Sequence, residues 1–185
     1  MQDYRININY AKALFQLAED TNEQERVNRD MQLVHKVCQE NRQLNAVFDN
    51  PEISPGKKAD IVTALFGQHV DRITMTFLVF VVKKKRSVNL KGISAMYLNL
   101  YRDSRGIVLS HLTTAQPVDV EIKELVSKTI SDYTHKQVEL VDKTDPDVIG
   151  GLAMEFDNNM YDATIATRLA KLRRAFAENV YESKL

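Results

Sequence analysis

Apolar positions in the first hundred residues recur with a helical period. Between Tyr4 and Asp20, Tyr10, Leu14 and Leu17 form one stripe, and Ala11, Phe15 and Ala18 form a second beside it. A surface helix needs an apolar face only about 100° wide. This one is wider, and alanines at 11, 13 and 18 allow another helix to come close. It reads either as a central core helix or as one packed on both sides, by its own domain and by a partner helix. From Glu23 to Glu40, Val27, Met31, Val34 and Cys38 fall at i, i+4, i+7 and i+11, a single buried stripe. A short helix carries Leu44, Val47 and Phe48, and Asn50-Pro51 breaks the chain. Ser54-Pro55 then starts a helix with an N-cap serine and proline in the first turn, its apolar side being Ile61, Val62, Leu65 and Phe66.

The run from Asp71 to Lys85 contains MTFLVFVV, which period alone does not separate from a buried strand. Its neighbours are short helices and its lead-in, Asp71-Arg72, is polar, so helix is the reading. As a helix it is apolar almost all round, with Ile73, Phe77, Phe80 and Val81 on one side and Met75, Leu78, Val79 and Val82 on the other. A bundle of roughly 100 residues has little room to enclose such a rod. It is the centre of the bundle, or part of it is left open for a ligand helix. Lys83 to Arg86 closes it, where cations suit the unpaired carbonyls of a helix end.

Leu90, Ile93, Tyr97 and Leu100 mark a further helix, with Gly106 in the C′ position. From Ile107 the pattern changes. Ile107–Thr114 is a β-rich run. A helix follows with Ile122, Leu125, Val126, Thr129, Ile130 and Tyr133 as its buried face. Val138–Lys143 alternates as a strand, Ile149–Phe156 is a strand entered through two glycines, Asp157-Asn158-Asn159 turns, and Met160–Tyr161 returns. Asp162 is expected to cap a last helix carrying Ile165, Leu169, Leu172 and Phe176. The expected fold is mainly α: a six-helix bundle over residues 1–105, then a smaller α+β domain over 106–185 in the order β-α-β-β-β-α.

Composition narrows the chemistry. In 185 residues, 44% are hydrophobic, enough for packed cores. Net charge is zero, yet residues 1–105 hold sixteen Lys and Arg against twelve Asp and Glu, and residues 106–185 hold nine against thirteen. Different partners for the two halves would explain this, as would drift in surface charge. The single cysteine, Cys38, rules out an intramolecular disulfide and fits a reducing compartment. The start of the chain lacks the apolar core of a signal peptide, and the longest apolar run is far below the ~20 residues of a membrane span.

No phosphate loop, dinucleotide fingerprint or nucleophile elbow is present. Asp145-x-Asp147 opens like a calcium loop but puts Ile149 and Phe156 at ligand positions. His35 and Cys38 share a helix face without a second ligand pair. His69, His111 and His135 stand alone, and turn and cap roles account for Asp157 and Asp162. No catalytic, cofactor or metal residue is expected, so the weight falls on an interaction protein. The alternative is a basic helical module that uses Lys83–Arg86 on nucleic acid or as a general adaptor. No aromatic interleaving or second basic cluster supports a nucleic-acid groove.

Several stretches together resemble the delta subunit family of F-type ATP synthases, called the oligomycin-sensitivity-conferring subunit in mitochondria. They are Tyr10-Ala11-Lys12-Ala13-Leu14-Phe15; Asn50-Pro51 with Lys57, Lys58 and Leu65-Phe66; Phe77-Leu78 followed by Arg86; Asp145-Pro146-Asp147-Val148-Ile149-Gly150-Gly151-Leu152; and Asp162-x-Thr164-x-x-x-Arg168-Leu169-x-x-Leu172. The family usually has Gly-Asp in the hairpin and Ser at position 164, which leaves the turn and cap logic unchanged. The resemblance implies a non-catalytic stator in a peripheral stalk that couples proton flow to ATP synthesis. The N-terminal domain would grip N-terminal helices of the alpha subunits, and the C-terminal domain the C-terminal helices of the b subunits. The chain would meet the membrane only indirectly, on its cytoplasmic face, without nucleic acid or cofactor. Its head-binding groove would lie between the first and fifth helices, which makes Tyr10, Ala13, Leu14, Phe77 and Phe80 the groove candidates.

Overall fold

The computed structural model of the chain describes residues 2–157 and 159–178. It is mainly helical, with one small four-stranded sheet in its C-terminal region. Two compact units emerge, one ending at Ser104 and the other beginning at Arg105.

The first unit contains α1 (Gln2–Asp20), α2 (Gln24–Glu40), α3 (Arg42–Asp49), α4 (Pro55–Phe66), α5 (Arg72–Lys83) and α6 (Leu90–Arg105), the last entered through a 3-10 turn at Ser87–Asn89. One stripe of each helix builds the core. Ala11, Leu14 and Ala18 of α1, Val27, Val34 and Cys38 of α2, Leu78 and Val81 of α5, and Ile93 and Tyr97 of α6 are all at most 1% exposed.

Local chemistry sets most of the ends. Asn41 accepts from the Leu44 amide and starts α3; Ser54 accepts from the Lys57 amide ahead of Pro55 and starts α4. Gly106 follows α6 at φ 62°, a left-handed position glycine takes at little cost. One end is set from a distance. Asp71 precedes α5 but makes no side-chain cap; instead Asp30 of α2, itself buried, accepts from the Asp71 amide at 2.8 Å and the Thr74 hydroxyl at 2.7 Å. Lys58 is buried for a similar reason. Its ammonium donates to the Phe48 carbonyl at 2.7 Å, one of the orphan acceptors at the end of α3.

The second unit contains β1 (Ile107–Thr114), α7 (Val120–Thr134), β2 (Gln137–Thr144), β3 (Leu152–Phe156), β4 (Asn159–Asp162) and α8 (Ile165–Glu178). The sheet order is β2-β1-β3-β4; β1 pairs parallel with β2 and antiparallel with β3, and β3 pairs antiparallel with β4. The parallel pair needs a crossover, which α7 supplies.

Four expectations need correction here. The face expected to bury on α7 buries only Val126 and Ile130, while Ile122, Leu125 and Tyr133 are exposed. A sheet this small covers a single narrow line on the helix. Second, Ile149 lies outside β3, at φ 66° in the turn after Pro146–Val148, and is exposed. Third, Asn159 belongs to β4 rather than to the turn; Asn158 lies outside the described residues. Fourth, Asp162 ends β4 and does not directly precede α8. Thr164 does, its hydroxyl accepting from the Thr167 amide at 3.2 Å.

Candidate partner-binding groove

α1 and α5 turn their inner stripes to the core and leave a furrow between their outer ones. α5 is too apolar to hide fully: Thr74, Leu78, Val81 and Val82 are enclosed, while Ile73 is half-buried and Phe80 is 47% exposed. On α1, Leu17 stays 45% exposed. The furrow holds about 530 Å³ and is lined by Leu17, Arg72, Ile73, Thr76, Phe77 and Phe80. At its edge the half-buried Tyr10 meets Phe77 nearly edge-on, with ring centroids 6.5 Å apart, and Phe80 in a tilted contact at 6.3 Å. Such aromatic contacts fix ring orientation.

Of the five residues expected at this site, the structure brings Tyr10, Phe77 and Phe80 together. Ala13 is exposed on α1 but is not part of the furrow wall. Leu14 turns the other way and is a core residue at 1% exposure. Leu17, Ile73, Thr76 and Arg72 were not picked out from the sequence as groove residues. Leu17 shares the Tyr10 stripe and Ile73 the Phe77 stripe, so helical spacing held the signal for both. For Arg72 the only signal was its place in the first turn of α5.

The polar groups around the furrow are few. The Thr76 hydroxyl donates back to the Arg72 carbonyl at 2.7 Å, so it is already used. Lys84, just past α5, holds its ammonium 5.6 Å from the Phe80 ring centre. Lys83, Lys84, Lys85 and Arg86 are all exposed.

Burial lowers the pKa of His35, whose Nδ1 lies 3.1 Å from the Ser94 hydroxyl. Burial pushes the Cys38 thiol up to about 11, so it stays protonated and unreactive at neutral pH. Burial also raises the Tyr97 phenol, a core group whose hydroxyl has no hydrogen-bond partner. Among the described residues no three His, Cys, Asp or Glu side chains come together as a metal site. The second unit has its own uncovered apolar surface: Ile165, Leu169, Leu172 and Phe176 on α8 are 42 to 77% exposed.

The family model for the ATP synthase delta (OSCP) subunit matches residues 6–176. The ATP synthase subunit delta of Cytophaga hutchinsonii is 35% identical over 97% of this chain and 98% of its own length. That of Carboxydothermus hydrogenoformans is 31% identical over 95% and 98%, and that of Bacteroides fragilis 33% over 94% and 94%. Among solved structures, a chain from the cryo-EM structure of the Toxoplasma gondii mitochondrial ATP synthase hexamer shares the fold, with a TM-score of 0.72 at 21% identity, covering 94% of this chain and 98% of that one.

Proposed function

The chain belongs to the ATP synthase delta (OSCP) subunit family, a peripheral-stalk component of the F-type ATP synthase, and from that premise we propose that it is a non-catalytic adaptor with two apolar docking faces. The groove between α1 and α5 takes an N-terminal helix of an alpha subunit, and so holds the catalytic head. The C-terminal unit takes the C-terminal helices of the b subunits, and so holds the stalk. Its uncovered α8 stripe, Ile165, Leu169, Leu172 and Phe176, suits that second contact. Rotation of the central shaft loads the head with torque, and proton flow is coupled to ATP synthesis only if the head is held still. Such a link needs helix-in-groove contacts with aromatic anchors, and no catalytic residue. Attachment to the cytoplasmic face of the membrane then runs through the partners; among the described residues no helix is long and apolar enough to cross a bilayer.

The observation that carries the reading is the open furrow, with Leu17 and Phe80 near half exposure above an aromatic floor. The test is titration of the full chain with a synthetic peptide of an alpha-subunit N-terminus. Saturable binding is expected, weakened about tenfold or more by Phe80→Ala, as for an interface anchor. Phe80 is already half exposed, so its loss leaves the core intact; Phe77, at 9% exposure, would mix binding with folding. A folded chain that ignores the peptide overturns the reading.

A further inference from the structure

Resting on that groove reading, we propose that the groove selects its occupant by charge: it takes an amphipathic helix with an acidic side chain at each end of its apolar stripe, clamped between Arg72 and Lys84. Between two cations the wall supplied by α5 is apolar except for Thr76, whose hydroxyl is spent on the Arg72 carbonyl. Ile73, Phe77, Phe80 and Lys84 fall at i, i+4, i+7 and i+11, so Lys84 continues the stripe that faces the furrow. Its ammonium is already stationed by the Phe80 ring. At the other end, Arg72 is the one charged residue in the furrow lining among the described residues.

The fold does not call for that arginine. It occupies the first turn of α5, where the helix dipole disfavours a cation, and the acids at that end, Asp71 and Asp30, are held by Arg26 and by the Asp71 amide and Thr74 hydroxyl. Next to it, Asp71 is engaged by Arg26 at 3.3 Å, and among the described residues neither Arg72 nor Lys84 has an ion pair. Two cations without an ion pair among the described residues therefore stand at the two ends of α5, about 18 Å apart along its axis at 1.5 Å per residue. An occupant with acids at that spacing neutralises both as it docks; one with cations there meets like charges on a surface losing its water.

The test uses the full chain and three synthetic helical peptides with one shared apolar stripe and Glu, Gln or Lys at both ends of it, eleven residues apart, the interval that returns to one helix face. At low ionic strength the Glu peptide is expected to bind about tenfold tighter than the Gln peptide, two rim contacts together. The gap should close at high salt. In the double variant Arg72→Glu, Lys84→Glu the order should reverse, with the Lys peptide favoured. Both side chains are exposed, and Arg72→Gln with Lys84→Gln, expected to erase the preference, serves if the reversal disturbs folding. Equal binding of the Glu and Gln peptides, or a preference that neither double variant changes, overturns the proposal. If Phe80→Ala still weakens every peptide in that case, the apolar groove stands and only the charge selection falls. If no peptide binds and Phe80→Ala changes nothing, both fall.

Discussion

Asp162 acts on α8 from two residues before its N-cap. One carboxylate oxygen accepts from the Thr164 amide at 2.9 Å, the other from the Thr167 hydroxyl at 2.6 Å. The Thr167 hydroxyl, and then Thr164, draw its pKa from 3.8 down to about 2. A carboxylate depressed in the folded chain adds stability that is fully present above its unfolded value and disappears as pH falls through its folded one. Protection of the Thr164 amide, relative to its intrinsic exchange rate, should therefore decline between about pH 4 and pH 2. Asp162→Asn should show no such pH-dependent decline across that window. Gly151 is the second single residue on which this corner depends. It has φ 77°, and an added Cβ would stand 2.5 Å from the Ala163 carbonyl oxygen. That backbone, just past β4, is held in place, because the Ala163 amide is bonded to the Leu152 carbonyl at 3.0 Å. Gly151→Ala combines left-handed strain with overpacking and should cost at least about 2 kcal/mol, read as a lower denaturation midpoint.

Among the elements, α5 shows most clearly how one helix serves the core and the furrow together. Its inner face is core, its outer face is groove wall, and its start is held by Asp30 rather than by its own flanking residue. Asp30→Ala removes the cap and leaves the fully enclosed Thr74 hydroxyl without its acceptor. A loss of about 1–3 kcal/mol is expected in chemical denaturation. Asp30→Asn, which keeps an acceptor, should lose less. Nothing in the sequence around Asp71 signals this arrangement, because the capping residue is 41 positions away. The stripes of α1 and α5 were visible as excess apolar surface. Leu14 fits groove or core equally well by spacing, because a wide apolar helix does not announce which part of its face turns inward, and packing places it in the core.

At the scale of the whole chain, each unit leaves apolar surface uncovered, and the charge balance of the two halves is opposite in sign. For the proposed adaptor with two docking faces, those are the features that matter, and the peptide titrations address the first of them directly. α7 and α8 show how far a hydrophobic pattern can be read. It records that a face will be covered, not what covers it. Val126 and Ile130 meet the sheet, whereas Leu125 and the α8 stripe remain open.

Sequence by itself determined where helices and strands lie and where most of them stop, because period, N-cap residues, proline and glycine act over a few positions. It also carried the family's signature stretches and the aromatic surplus of α1 and α5. Tertiary structure decided which stripe faces inward, which distant carboxylate caps α5, and that Leu17, Arg72, Ile73, Phe77 and Phe80 share one furrow. Those outcomes depend on contacts between residues tens of positions apart, and packing settles them by choosing among faces that are equally apolar in the sequence.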